Sequence, residues 1–165
     1  MQRWILIGSV CALAACSVGC LSGDESETAS EPAMSDQEMI AGAMALDQAF
    51  LNALNAGNAA EIASLYSPDA ESFPPDILEV VGPEAIGEAS AAGVQATPGM
   101  SFAIVDSHNM VAGKYVIGWG RFRANIPGEG GEMQVNEGRY TDVKTIEGGK
   151  WVYVLDHASF PAVAQ

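Results

Sequence analysis

Five apolar residues, Met39, Ala43, Leu46, Phe50 and Leu54, recur at three- and four-residue steps with polar positions between them. That spacing puts one apolar stripe on a helix. Ser35-Asp36-Gln37-Glu38 precedes the stripe and has the form of a capping box, in which the serine satisfies a free N–H and the glutamate reaches back. The pattern predicts a helix to about residue 55, stopped by Gly57. Asn58 can cap a second, short helix through Ile62, Leu65 and Tyr66, ended by Ser67-Pro68-Asp69. Residues 70–73 and 79–81 fit short strands separated by Pro74-Pro75-Asp76. Gly82-Pro83-Glu84 opens a third helix to about residue 92, with the proline where a missing N–H costs little.

Beyond residue 100 the period changes from helical to alternating. Residues 101–106, 114–126, 132–146 and 150–160 read as strands, with turn signals at Ala112-Gly113, at 127–131 and at Glu147-Gly148-Gly149. Long strands joined by short loops predict an antiparallel meander. Helices first and a sheet afterwards predict an α+β domain with the helices packed on one sheet face.

The N-terminal pattern is different in kind. Residues 4–15 are almost unbroken apolar residues behind Arg3, too few to span a bilayer comfortably, which takes about 20. They run into Leu13-Ala14-Ala15-Cys16, which resembles the lipobox of bacterial lipoproteins. The resemblance implies a signal peptide at 1–15, cleavage before Cys16, and lipid on its sulfur as the membrane anchor. It also implies an extracytoplasmic location, at the outer membrane or in the periplasm if the host has two membranes, since Ser17 is not acidic. Cys20, after Val18-Gly19, is a second possible cut site. Residues 16–35, rich in Ser, Gly, Glu and Asp, read as a flexible acidic tether, leaving 36–162 as one folded domain.

Composition narrows the function classes. The third cysteine, Cys11, lies in the signal, so the folded part has neither a disulfide nor a thiol nucleophile. A formal net charge of −14 argues against nucleic acid as a partner, because phosphates need lysine and arginine. His108 and His157 are far apart and show no metal-ligand spacing, so no metal and no cofactor is expected. Gly128-Glu129-Gly130-Gly131 lies between strands and reads as a hairpin turn, not a phosphate loop.

Ala53-Leu54-Asn55-Ala56-Gly57-Asn58 followed by Leu65-Tyr66-Ser67-Pro68-Asp69-Ala70 resembles the opening of SnoaL-like and ketosteroid-isomerase-like domains of the nuclear-transport-factor-2-like superfamily. Phe73-Pro74-Pro75, Val81-Gly82-Pro83-Glu84-Ala85-Ile86 and Asp156-His157-Ala158-Ser159 extend the likeness, which is greatest to stand-alone members related to the polyketide cyclases. The resemblance implies a cystatin-like cone of N-terminal helices on a curved antiparallel sheet, with a pocket and a homodimer. It does not choose an activity. The isomerase chemistry needs a carboxylate base and an oxyanion hole of a tyrosine and a protonated aspartic acid. The corresponding positions here hold Pro74, Phe50 and Gly138, none of which can exchange a proton, although Asp76 and Glu137 lie close by.

Other polar residues are candidates. Asp156 and His157 adjoin on the last strand, so alternation lets only one face a pocket, and Trp151, Tyr153, Leu155 and His157 should share a face. Either can act as a general base, with Tyr66 or Tyr140 as a donor. Phe50, Leu54, Trp119, Arg121, Tyr140 and Trp151 are candidate ligand contacts. Arg121, Arg123 and Arg139 either hold an anionic group or pair with Glu132, Glu137 or Asp142 across strands. Asp47, a lone acid in the first helix, is expected to face water. These features fit a lipid-anchored domain binding a small, largely apolar molecule, a lyase or isomerase working by acid–base catalysis, or a dimerising interaction module.

Overall fold

The structure is a computed structural model, and it describes residues 34–161. The expected signal, Cys16 and all of the tether but its last two residues lie outside the described residues. Three helices and six strands follow in the order α1 (Asp36–Asn55), α2 (Ala59–Ala63), β1 (Tyr66–Phe73), β2 (Val80–Val81), α3 (Pro83–Ala96), β3 (Ser101–Ala112), β4 (Tyr115–Pro127), β5 (Met133–Glu147) and β6 (Lys150–Ser159).

The capping box on α1 is formed, with Glu38 N–H donating to Ser35 Oγ at 3.3 Å and Ser35 N–H to Glu38 Oε2 at 2.8 Å. A cap of this kind stabilises by about 1 kcal/mol. Four elements differ from the pattern-based expectation, among them β1, which starts at Tyr66 and not residue 70, and α3, which runs to Ala96 and not about residue 92. The second helix stops at Ala63, because the next backbone groups are taken by β6: Tyr153 N–H donates to the Leu65 carbonyl at 2.9 Å, and Tyr66 pairs with Tyr153. Tertiary pairing there overrides local spacing. β3 continues well past residue 106 to Ala112, which faces Tyr115 across a tight turn whose Gly113 takes a φ of +64°.

The strands form one sheet in the order β2-β1-β6-β5-β4-β3. β3 to β6 make the antiparallel meander, and β1 joins β6 in parallel. Two bulges bend it. Val105 is an extra residue on β3 between the Ile104–Phe122 and Asp106–Arg121 pairs. Val154 is an extra residue on β6 between the Tyr153–Lys144 and Leu155–Val143 pairs. Bulges curve a strand and raise its twist.

The helices cover one sheet face. Leu46, Leu54, Ile62, Tyr66, Ile86 and Tyr153 are buried together as the core. Close approach needs glycine at two places. A Cβ on Gly87 would strike the Ala59 carbonyl where α3 meets α2, and one on Gly42 would strike the Trp151 indole under α1. The other sheet face exposes Met110, Tyr115, Trp119, Met133 and Val135.

Candidate functional site

Between α1, the far half of α3 and the covered sheet face lies a cavity of about 410 Å³. Small-molecule sites usually have roughly 300–1,000 Å³. Phe50, Leu51 and Leu54 of α1, Phe102 and Ile104 of β3, Phe122 of β4 and Phe160 beyond β6 supply an apolar wall. Pro74, Pro75, Asp76 and Ile77, between β1 and β2, line another side. Asp47, Tyr140, Asp142, Tyr153 and Asp156 supply polar groups.

Three sheet glycines make this surface. The Phe122 ring lies over the backbone of Gly138, where any side chain would collide with it. Gly120 leaves room for the Asp106 carbonyl first and then for the Tyr140 ring, and Gly118 for the carboxylate of Asp142 and the ammonium of Lys144. Each lets a neighbouring strand lay a large or charged side chain flat along the cavity side.

Lys144 is completely buried. Its Nζ lies 2.6 Å from Asp47 Oδ1 and 2.9 Å from Asp142 Oδ1. Tyr153 Oη also donates to Asp47, at 2.7 Å. Asp142 Oδ1 has the ion pair but no well-angled hydrogen bond. Burial pushes the Asp142 carboxyl up to about 6, with Asp47 and Asp156 adding to the rise and Lys144 opposing it. Asp156 stands directly opposite Asp142 on the neighbouring strand. The Tyr66 hydroxyl donates to Asp156. Burial raises the Asp156 carboxyl, against the Ser72 hydroxyl, the Tyr66 hydroxyl, the Phe73 N–H and His157, which all favour its charged form. Burial also pushes the Tyr140 phenol up to about 12, so it stays a neutral donor. Phe50, Tyr66 and Tyr153 pack as an aromatic group, with ring centroids 5.2 to 6.2 Å apart.

A helix-capped cone closed by a curved sheet, with its glycine-lined inner face, now has a counterpart among known proteins. The family model for the SnoaL-like domain matches residues 48–154, well over half of the sequence. The chain belongs to the SnoaL-like family. Solved structures share the SnoaL-like domain's fold at low identity. A proposed dehydratase of the nuclear-transport-factor-2-like family from Streptomyces avermitilis has a TM-score of 0.70 at 16% identity, covering 78% of this chain and all (100%) of that one. A nuclear-transport-factor-2-like superfamily protein from Salmonella enterica serovar Typhimurium gives 0.69 at 16%, covering 79% and 96%. A nuclear-transport-factor-2-like protein of unknown function from Pseudomonas putida gives 0.66 at 21%, covering 78% and 90%. These likenesses fix the fold alone. No curated protein matches.

The candidate residues separate into three groups on the SnoaL-like scaffold. Phe50, Leu54, Tyr140 and Asp156 line the cavity. Tyr66 and Trp151 lie behind it, the first bonded to Asp156 and the second packed under Gly42. Trp119 and Arg121 are on the opposite face. The Trp119 ring stacks on His108 at 5.7 Å, and Arg121 is held by Asp106, its Nε donating at 2.8 Å. Arg123 pairs with Glu137 at 2.8 Å. His157 is exposed, at the cavity rim and beside Trp119 on the outer side.

The expected alternation along β6 fails at its bulge. Val154 occupies an extra place, so Tyr153 shares a face with Asp156 and not with His157. Asp47 does not face water as expected, but joins Lys144 and Tyr153. Lys144 was not among the candidates, and Asp142, named only as a cross-strand partner for an arginine, pairs instead with Lys144. Their signal was present: they are two residues apart on one strand face, and Asp47 falls on the apolar stripe of α1, four residues after Ala43. Of the positions that hold the isomerase groups, Phe50 and Pro74 line the cavity and Gly138 lies under Phe122. Among the described residues the cavity lining holds no lysine or arginine. Among the described residues no group of three His, Cys, Asp or Glu is placed to hold a metal.

Proposed function

We propose that this SnoaL-like domain binds a small, largely apolar molecule outside the cytoplasm, tethered to a membrane by lipid on Cys16. The observation that carries the binding reading is the 410 Å³ cavity, aromatic and aliphatic over most of its wall with acidic and phenolic groups gathered on the sheet side. The lipobox-like run Leu13-Ala14-Ala15-Cys16 supports the location. The exposed apolar face with Trp119, Tyr115 and Met110 supports a homodimer. Native mass spectrometry of protein purified gently from its own host tests the reading. A retained small molecule of a few hundred daltons is expected. Empty protein that also fails to take up small aromatic probes would overturn it.

A second reading is favoured by one observation. Asp142, buried, and Asp156, half-buried, are neighbours with raised carboxyl groups, and two such acids can share one proton. The pair would then serve as acid and base in a lyase or isomerase step, with Tyr140 donating to a developing oxyanion. Proton exchange with deuterated solvent in a bound carbonyl compound, lost in Asp156→Asn, is the expected sign.

A further inference from the structure

The cavity's charge is unbalanced. Asp47, Asp142 and Asp156 all reach it, whereas Lys144, the one lysine or arginine beside them among the described residues, is already engaged by Asp47 and Asp142. Asp156 has hydroxyl partners in Tyr66 and Ser72, and its one cationic neighbour is the exposed His157 at the cavity rim. Asp142 and Asp156 stand directly opposite each other on adjacent strands, a placement that is repulsive for like charges. Asp142 is only 4% exposed, and its Oδ1 has the Lys144 ammonium at 2.9 Å but no hydrogen bond of good geometry. A charged group that close to others in a dry site gains far more from a counter-ion than it would in water.

We propose that the ligand is an amine in its ammonium form, seated between Asp142 and Asp156 with its apolar body against Phe50, Phe102 and Phe122. This rests on the reading of the cavity as a small-molecule site. An ammonium brings up to three donors and a positive charge to a place where two carboxylates face each other and the neighbouring lysine is already engaged. A carboxylate of the same shape would add a further negative charge to a cavity lined by acids, in a protein already at −14. A neutral alcohol would fit the wall but leave the acid pair unbalanced.

Three probes of one skeleton separate these cases: 4-phenylbutylamine, 4-phenylbutanol and 4-phenylbutyrate. Their affinities are measured by calorimetry on the full chain in the neutral detergent digitonin, with empty micelles subtracted. The amine should bind at least about tenfold tighter than the alcohol, and the carboxylate should show no saturable binding. Asp156→Asn and Asp142→Asn should each cut amine affinity by about tenfold or more and leave the alcohol within about threefold. If a variant fails to fold, the wild-type comparison decides alone. Equal affinity of amine and alcohol, or a preference for the carboxylate, overturns the proposal and leaves the cavity as a binding site. Absence of saturable binding by all three overturns both.

Discussion

Replacing Lys144 by methionine isolates the energetics of the buried charges. Methionine keeps nearly the same length and volume, so packing alone should cost less than about 1.5 kcal/mol. Loss of the ammonium, which is fully buried with carboxylate oxygens at 2.6 and 2.9 Å, leaves Asp47 and Asp142 without a counter-ion. Breaking a buried pair in this way costs about 3–5 kcal/mol, a large part of the roughly 5–15 kcal/mol that holds a domain folded. The loss should depend on pH. In the native protein Asp142 sits at about 6, above the roughly 3.9 of an unfolded aspartate, so the folded state binds the extra proton between those values. Its contribution to stability is therefore greatest below about pH 4, falls as pH rises to about 6, and is level above that. Without Lys144 the one influence that lowers Asp142 is gone, so the falling limb extends to higher pH, with a slope approaching about 1.4 kcal/mol per pH unit. Urea unfolding followed by circular dichroism at pH 5.5, 7 and 8 measures this. The Asp142→Asn/Lys144→Met pair should recover about half the loss. A loss below about 1 kcal/mol at pH 8, or one equal at pH 5.5 and 8, would refute the account.

Gly87→Ala should destabilise by about 1–3 kcal/mol, because its Cβ would strike the Ala59 carbonyl between α3 and α2. Alanine normally improves a helix interior by about 0.5–1 kcal/mol, so the sign of the urea midpoint shift decides whether that contact is as tight as described. Removal of residues 1–35 should leave a soluble dimer by light scattering at micromolar concentration, and Trp119→Lys, on the exposed face, should convert it to a folded monomer. A wild-type monomer would count against the proposed assembly.

The chain's periodicity was a good guide to what is set locally. The capping box, the stripe of α1, Pro83 opening α3 and the glycine turns between strands all act within a few residues, and each is formed. The errors came where distant segments compete. Tyr66 left its helix because β6 offered it a partner, and β3 ran on to Ala112 because β4 was long enough to pair with it. At the site, Phe50, Leu54 and Tyr140 follow from apolar facing and family likeness. The charged cluster was harder to see. Asp47 and Lys144 are 97 residues apart, and a lone acid on an apolar stripe reads as a solvent group until its lysine is known. The parity of β6 was hidden in the same way, because a bulge leaves no mark in alternation when valine and leucine flank it.

That bulge also bears on how such a site changes over generations. Because Val154 absorbs one place, Asp156 looks inward and His157 outward. Drawn out flat over the same residues, β6 would present the imidazole to the cavity and turn the acid away, since a one-residue slip exchanges the faces of a strand. Deleting Val154, by contrast, would straighten the strand and keep Tyr153 and Asp156 together. A lineage can therefore trade a carboxylate for an imidazole by flattening the bulge with its residues kept, or keep the carboxylate by losing Val154, with no substitution at either residue, while the helices that build the apolar wall remain untouched.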